Sequence, residues 1–180
     1  MGGFSLKTET KKEVWSWIKS IVIACVLVFV IRQFLFAPVL VSGQSMEPTF
    51  ESENRVVISK IHKLDHFDLI VFHAPGSKED YIKRVIGLPG DTVVMKDDKL
   101  FINGKEYEET YVQANKERIF ENQKLTEDFE VTVPEGQLFV LGDNRRNSTD
   151  SRTIGCIDES AVVGKVGFRF YPFNSIGIPK

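Results

Sequence analysis

The sequence predicts a mainly β, antiparallel domain behind a single N-terminal helix. Three observations carry that expectation: a charge-free run near the N-terminus, a succession of short Val- and Ile-rich segments after Pro38, and an Asn103-Gly104 pair set between apolar residues.

In chain order, residues 1–17 form a short N-terminus carrying Lys7, Lys11 and Lys12 against Glu9 and Glu13, with Lys19 just beyond. Ser20–Ile31 (SIVIACVLVFVI) then holds no charge. As a helix this run measures only about 18 Å, short of the roughly 30 Å hydrocarbon core of a bilayer. It becomes a span by recruiting neighbours, which places a transmembrane anchor at 18–37. Trp15, Trp17 and Ile18 would sit at the inner interface and Phe34–Phe36 at the outer one, with Arg32 snorkelling outward. Lysines before an apolar span stay in the cytoplasm, so 38–180 would lie outside. A cleaved signal peptide shares the charged-then-apolar pattern but needs small residues before its cut. Here Phe34, Leu35 and Phe36 precede Ala37, and Pro38 follows it. A buried core helix is the third reading of the run.

Beyond Pro38, Arg55–Lys60, Asp68–His73, Tyr81–Ile86 and Asp91–Lys96 read as strands by their β-branched content. Lys99–Tyr107 reads as a hairpin turning at Asn103-Gly104. Residues 108–130 are polar, acidic and weakly periodic, and are expected to be an excursion or a mobile connection. Glu130–Val133 and Gln137–Leu141 flank a Pro134-Glu135-Gly136 turn, which predicts a second hairpin. Val162–Phe170 supplies the last strands.

The hydrophobic share of 42% and the charged share of 27% are ordinary for a folded chain. A formal net charge of -2 gives no sign of a nucleic-acid partner. Neither zinc-type Cys/His spacing nor a phosphate-binding glycine loop is present, so no metal and no cofactor are expected. Cys25 and Cys156 lie too far apart in kind and position to be expected as a disulfide.

Three clusters carry chemistry. Val41–Thr49 (VSGQSMEPT) sets Ser45 between Gly43 and Pro48 in a bent loop just past the apolar run; such a loop points a hydroxyl outward and leaves its backbone N–H as an oxyanion donor. An ordinary polar linker would also look like this. In Tyr81–Asp91 (YIKRVIGLPGD), strand alternation puts Tyr81, Lys83 and Val85 on one face and Ile82, Arg84 and Ile86 on the other. Arg84 cannot be a base, because guanidinium keeps its proton, whereas burial can make a lysine amine neutral near neutral pH. Both cations snorkelling from an edge strand is the plainer alternative. Gly142–Arg152 (GDNRRNSTDSR) is a self-bonding loop, in which Asp143, Arg145, Asp150 and Arg152 are expected to form an ion-pair network. A solvated charged turn has the same composition. His62, His66 and His73 are the only candidates for a histidine base, and no motif accompanies them.

In this order and behind an anchor, the three clusters resemble the type I signal peptidases, particularly the small Gram-positive kind. The likeness runs from about Trp17 to Phe170 and is weakest over 108–130. It implies a barrel-like antiparallel catalytic domain with Ser45 as nucleophile and Lys83 as general base. It also implies that Ser148 holds the lysine amine, and that Asp150 and Arg152 support the site without reacting. Some family members carry a serine two places before the nucleophile as a second oxyanion donor. Gly43 stands there in this chain, with Ser42 one place further back. The length admits only the minimal catalytic version, without the extra β domain of some Gram-negative members.

The implied reaction removes signal peptides from exported preproteins through an acyl-enzyme, with small residues at the first and third positions before the cut. The implied partners are those signal peptides and the bilayer, with the enzyme a monomer. A Ser/Lys self-cleaving domain of the SOS-repressor type would bring a DNA-binding N-terminus in place of the apolar run. A silent membrane-anchored binding module would lack Ser45 or Lys83.

Overall fold

The computed structural model describes residues 6–60, 63–120 and 123–179. The chain divides into two compact units, Met1–Ala37 and Pro38–Lys180.

The first unit is helix α1 (Leu6–Phe34). Its stretch Lys11–Val30 is long and apolar enough to cross a membrane. Ile21, Val22, Ile23, Val26, Leu27, Val28 and Phe29 all stand exposed. Apolar side chains all round a helix suit a lipid surroundings better than water. The helix extends well before the charge-free run because Lys and Glu propagate it as readily as Leu. It stops before Pro38, which supplies no N–H and disfavours helix at Ala37. Phe36 and Ala37, expected at the end of the anchor, therefore already belong to strand β1 (Phe36–Leu40).

The second unit is built on β2 (Arg55–Ser59), β3 (Leu69–His73), β4 (Asp80–Gly87), β5 (Thr92–Lys96), β6 (Lys99–Ile102), β7 (Lys105–Tyr107), β8 (Phe129–Thr132), β9 (Gln137–Leu141), β10 (Ile157–Asp158) and β11 (Val162–Tyr171). Among the described residues these form a sheet in the order β1-β2-β11-β3-β4-β9-β10 and a smaller one in the order β7-β6-β5-β8. The pairings with assigned register are antiparallel. The larger sheet curls into an open half-barrel.

The Asn103-Gly104 hairpin forms as expected, with both residues at positive φ. The second expected hairpin does not. β8 pairs with β5, whereas β9 lies between β4 and β10 in the other sheet. The Pro134–Gly136 turn is a crossing between sheets, since Val133 exchanges backbone hydrogen bonds with Gly90 and Asp91 instead of with β9. The last strands are one continuous strand, β11, pairing with β3 early and with β2 later across two register shifts.

β4 and β9 are covered on both faces. Val85, Leu138 and Val140 pack with Ile70, Phe72 and Ile157 on one side. Ile86, Phe139 and Leu141 pack with Val93, Met95, Leu100 and Ile102 on the other. A strand buried on both sides fixes its register, because a slip of one residue would exchange the faces. The 108–130 segment is better ordered than its polarity implied: its described part holds a 3-10 turn (Thr110–Val112) and helix α2 (Gln113–Lys116). It buries Glu109, Val112, Asn115, Leu125 and Thr126.

Candidate active site

The nucleophile loop is fixed at its base and along its length. Val41 N–H donates to Asn54 O, Glu53 N–H to Val41 O and Phe50 N–H to Met46 O. Met46 and Phe50 drive their side chains into the core on either side of the bend. Gly43 sits at φ +88°, a left-handed conformation that a side chain would strain. Its N–H donates to Ser52 Oγ, so that amide is already engaged. Ser42 is exposed on the same loop. Among the described residues, Ser45 N–H meets no protein acceptor.

Lys83 arrives from β4 on the face predicted by alternation. Its residue is 3% exposed, yet its Nζ donates to Ser45 Oγ at 2.7 Å and to Ile82 O at 3.0 Å. Burial lowers its pKa from 10.5 to about 8, against the opposing pull of the Asp150 and Asp143 carboxylates. An amine of that kind is neutral in an appreciable fraction of molecules at neutral pH and can accept the serine proton.

The Gly142–Arg152 loop frames this pair. Asn144 N–H donates to Ser45 O at 3.0 Å, and Asn144 Nδ2 donates to Gln44 O at 3.0 Å. Gly142 is required by closeness: a Cβ there would lie 2.6 Å from Ser45 O and would collide with Ser148. Asp150 caps helix α3 (Ser151–Ile154) and accepts from Gly142 N–H and from the Arg152 guanidinium. Burial alone would raise the Asp150 pKa, but Arg152 and the Gly142 N–H overcome it, and the carboxyl is held below its ordinary value.

The expected ion-pair network within this loop is only partly internal. Asp150 pairs with Arg152, but Asp143 takes a two-pronged bond from Arg84 of β4, and Arg145 pairs with Glu109 of the 108–130 segment. Both latter pairs are buried, and charges so placed need partners that only other elements can bring. The loop is thus fastened outward, and that fastening shapes the site.

Ser148 lines the same groove, and its Oγ is buried there. The second bond of the amine goes to Ile82 O, not to Ser148. The histidines lie in other arrangements: His66 bonds Asp91 and His73 bonds Asp80, while His62 lies outside the described residues. Among the described residues no cluster of His, Cys, Asp or Glu is grouped to hold a metal.

Ser45 and Lys83 open into a groove of about 850 Å³, walled by Val39–Met46, Glu79–Lys83 and Arg146–Thr149. β9 pairs with β4 only from Arg84 onward, so the β4 edge over Asp80–Lys83 on that side is left without β9.

Sequence reasoning placed Ser45, Lys83, Gly43, Ser42, Ser148, Asp150 and Arg152 near one another, and all belong to this loop-and-strand assembly. It left Arg84 without its partner, although a buried guanidinium beside a buried amine calls for a carboxylate. It had no signal for Glu109 or for Asn115, which lie in no motif.

The family model described as "Signal peptidase, peptidase S26" matches residues 14–171. The chain is 47% identical over 180 residues to "Signal peptidase I S" of Bacillus subtilis strain 168, covering 96% of this chain and 97% of that one. It is 41% identical over 179 residues to "Signal peptidase IB" of Staphylococcus aureus strain COL, covering 91% and 93%. A crystal structure of a signal peptidase I from Enterococcus faecalis V583 superposes with a TM-score of 0.57 at 42% identity, over 58% of this chain and 97% of that one.

Proposed function

The chain belongs to the signal peptidase family, peptidase S26, and on that premise we propose that it cuts preproteins with Ser45 as nucleophile and Lys83 as general base. Enzymes of this family are serine endopeptidases that remove signal peptides from preproteins by a Ser/Lys mechanism, and this chain is one of them. The observation that carries the residue assignment is the 2.7 Å bond between Lys83 Nζ and Ser45 Oγ, made by an amine lowered to about 8.

The chemistry follows from that bond. Neutral Nζ takes the Oγ proton as Oγ attacks the scissile carbonyl, and the oxyanion that develops meets the free Ser45 N–H. The resulting ammonium gives its proton to the departing amine as the peptide bond breaks. The same nitrogen then deprotonates a water, which hydrolyses the acyl-enzyme and returns the serine. Asp150, with Arg152, holds the Gly142 turn and never enters the reaction. Ser148, with its buried hydroxyl in the groove of the dyad, is a support for the amine.

The uncovered β4 edge facing the Val39–Ser42 wall suits an extended peptide, which would add as a strand and present alternate side chains to the groove. That fits small residues at the first and third positions before the cut. The apolar helix fits a single membrane span. The preceding lysines favour a cytoplasmic N-terminus and an extracytoplasmic 38–180 domain.

Two experiments test this reading. Ser45→Ala, Lys83→Ala and Lys83→Arg should each abolish preprotein cleavage by the full chain in detergent, and turnover retained in any of them refutes the dyad. Protease added to spheroplasts should digest the 38–180 domain, whereas inside-out vesicles should protect it. The reverse pattern overturns the orientation.

A further inference from the structure

Asn115 lies outside every motif, in the segment where the resemblance is weakest, yet it occupies a junction of the site. It is 8% exposed, and its Nδ2 donates to Glu47 O at 2.9 Å and to Asp143 O at 3.1 Å. Two carbonyl acceptors on one side require the nitrogen of the amide there, with both of its hydrogens in use. Glu47 stands two residues after the nucleophile. Asp143 stands one residue before Asn144, whose N–H holds Ser45 O. One side chain therefore ties the far limb of the nucleophile loop to the Gly142–Arg152 loop that carries it.

The element bearing Asn115 is itself held fast. Val112 is buried beside it, Lys116 Nζ donates to Asp98 O, and Glu109 grips Arg145. α2 is thus a well-held mount, and the amide is its contact with both loops. Without the amide, two buried carbonyls lose their donor. The limb would keep the bonds of Asn144 to Ser45 and Gln44 and the Thr49 Oγ1 bond to Asp143, but it would lose the tie next to Ser45 at Glu47, and reaction geometry tolerates little displacement.

We propose that Asn115 is a positioning residue, which by bridging the Glu47 and Asp143 carbonyls keeps Ser45 Oγ within reach of Lys83 Nζ. The proposal rests on the Ser45–Lys83 reading.

The test uses full-length protein in detergent and an internally quenched peptide spanning a signal-peptide cleavage site, over a pH series, with Ser45→Ala run alongside. Asn115→Ala should lower kcat about tenfold or more while KM stays within about twofold. A loosened loop admits water to the amine, so the rising limb of kcat/KM should move to higher pH. Asn115→Gln, which keeps the amide hydrogens, should recover much of kcat. Asn115→Asp, which keeps the shape but sets a carboxylate against two carbonyls, should not. Should Asn115→Ala fail to fold, the Gln and Asp variants carry the test. Equal activity in that pair, or wild-type kcat and an unmoved limb in Asn115→Ala, overturns the proposal. Activity in Ser45→Ala would instead overturn the dyad on which it rests.

Discussion

Replacing Lys83 by methionine should make the protein inactive and, at neutral pH, more stable. The magnitude follows from the amine's displacement from 10.5 to about 8. Between those two values the unfolded chain holds a proton that the folded one has released, so the stability of the wild type rises with pH across that window. Below pH 8 nearly the whole penalty applies, about 3 kcal/mol. At pH 9 it is about 2 kcal/mol, and by pH 10.5 it falls below about 1 kcal/mol. Methionine has nearly the shape of the lysine stem and no charge to desolvate, so Lys83→Met escapes the penalty. It gives up the bonds to Ser45 Oγ and Ile82 O, about 1 kcal/mol each. The net expectation is a gain of about 1 kcal/mol at pH 7 that shrinks steadily and vanishes or reverses above about pH 9. Urea unfolding of the full chain in detergent, followed by tyrosine near-ultraviolet circular dichroism at several pH values, reads the difference directly. A variant no more stable than wild type at pH 7, or a gap that does not close with rising pH, would refute the claim that Lys83 is held against its charge.

Three further outcomes follow. kcat/KM should climb with the neutral fraction of Lys83, about tenfold between pH 7 and pH 9; a profile already flat by pH 6.5 would contradict a base of about 8. Gly142→Ala forces a methyl against Ser45 O and should cost at least about tenfold in kcat through misplacement of the nucleophile, measured by single-turnover cleavage. Arg84→Met strands the buried Asp143 carboxylate and should lower stability by about 3–5 kcal/mol in urea titration, whereas an exposed pair such as Lys99–Glu106 should be replaceable within about 1 kcal/mol.

Much of this arrangement was legible in the sequence wherever the controlling physics is local. Alternation along Tyr81–Ile86 separated Lys83 from Arg84, and Asn103-Gly104 announced its hairpin, because each depends on a few adjacent residues. Glu130–Val133 and Gln137–Leu141 misled for the complementary reason. A Pro-Glu-Gly turn says that the chain bends, but the choice of partner strand lies with distant residues, here Val93 for β8 and Val85 for β9. The charged loop misled in the same way, since spacing within Gly142–Arg152 cannot reveal that Asp143 and Arg145 reach to Arg84 and Glu109. Polarity made 108–130 look like a loose connection, although its polar atoms face inward to satisfy backbone carbonyls of the site.

The pairing of β4 against β3, with Ile70 opposite Lys83 and Leu69 opposite Arg84, guards more than the shape of the sheet. Two cations stand side by side along one strand, and only the first can ever surrender its proton. A shift by a single position in one direction would aim a permanently charged fork at the hydroxyl and leave the carboxylate behind it unanswered. Catalytic competence is therefore a matter of parity: the same residues one step out of phase would make a folded but inert surface.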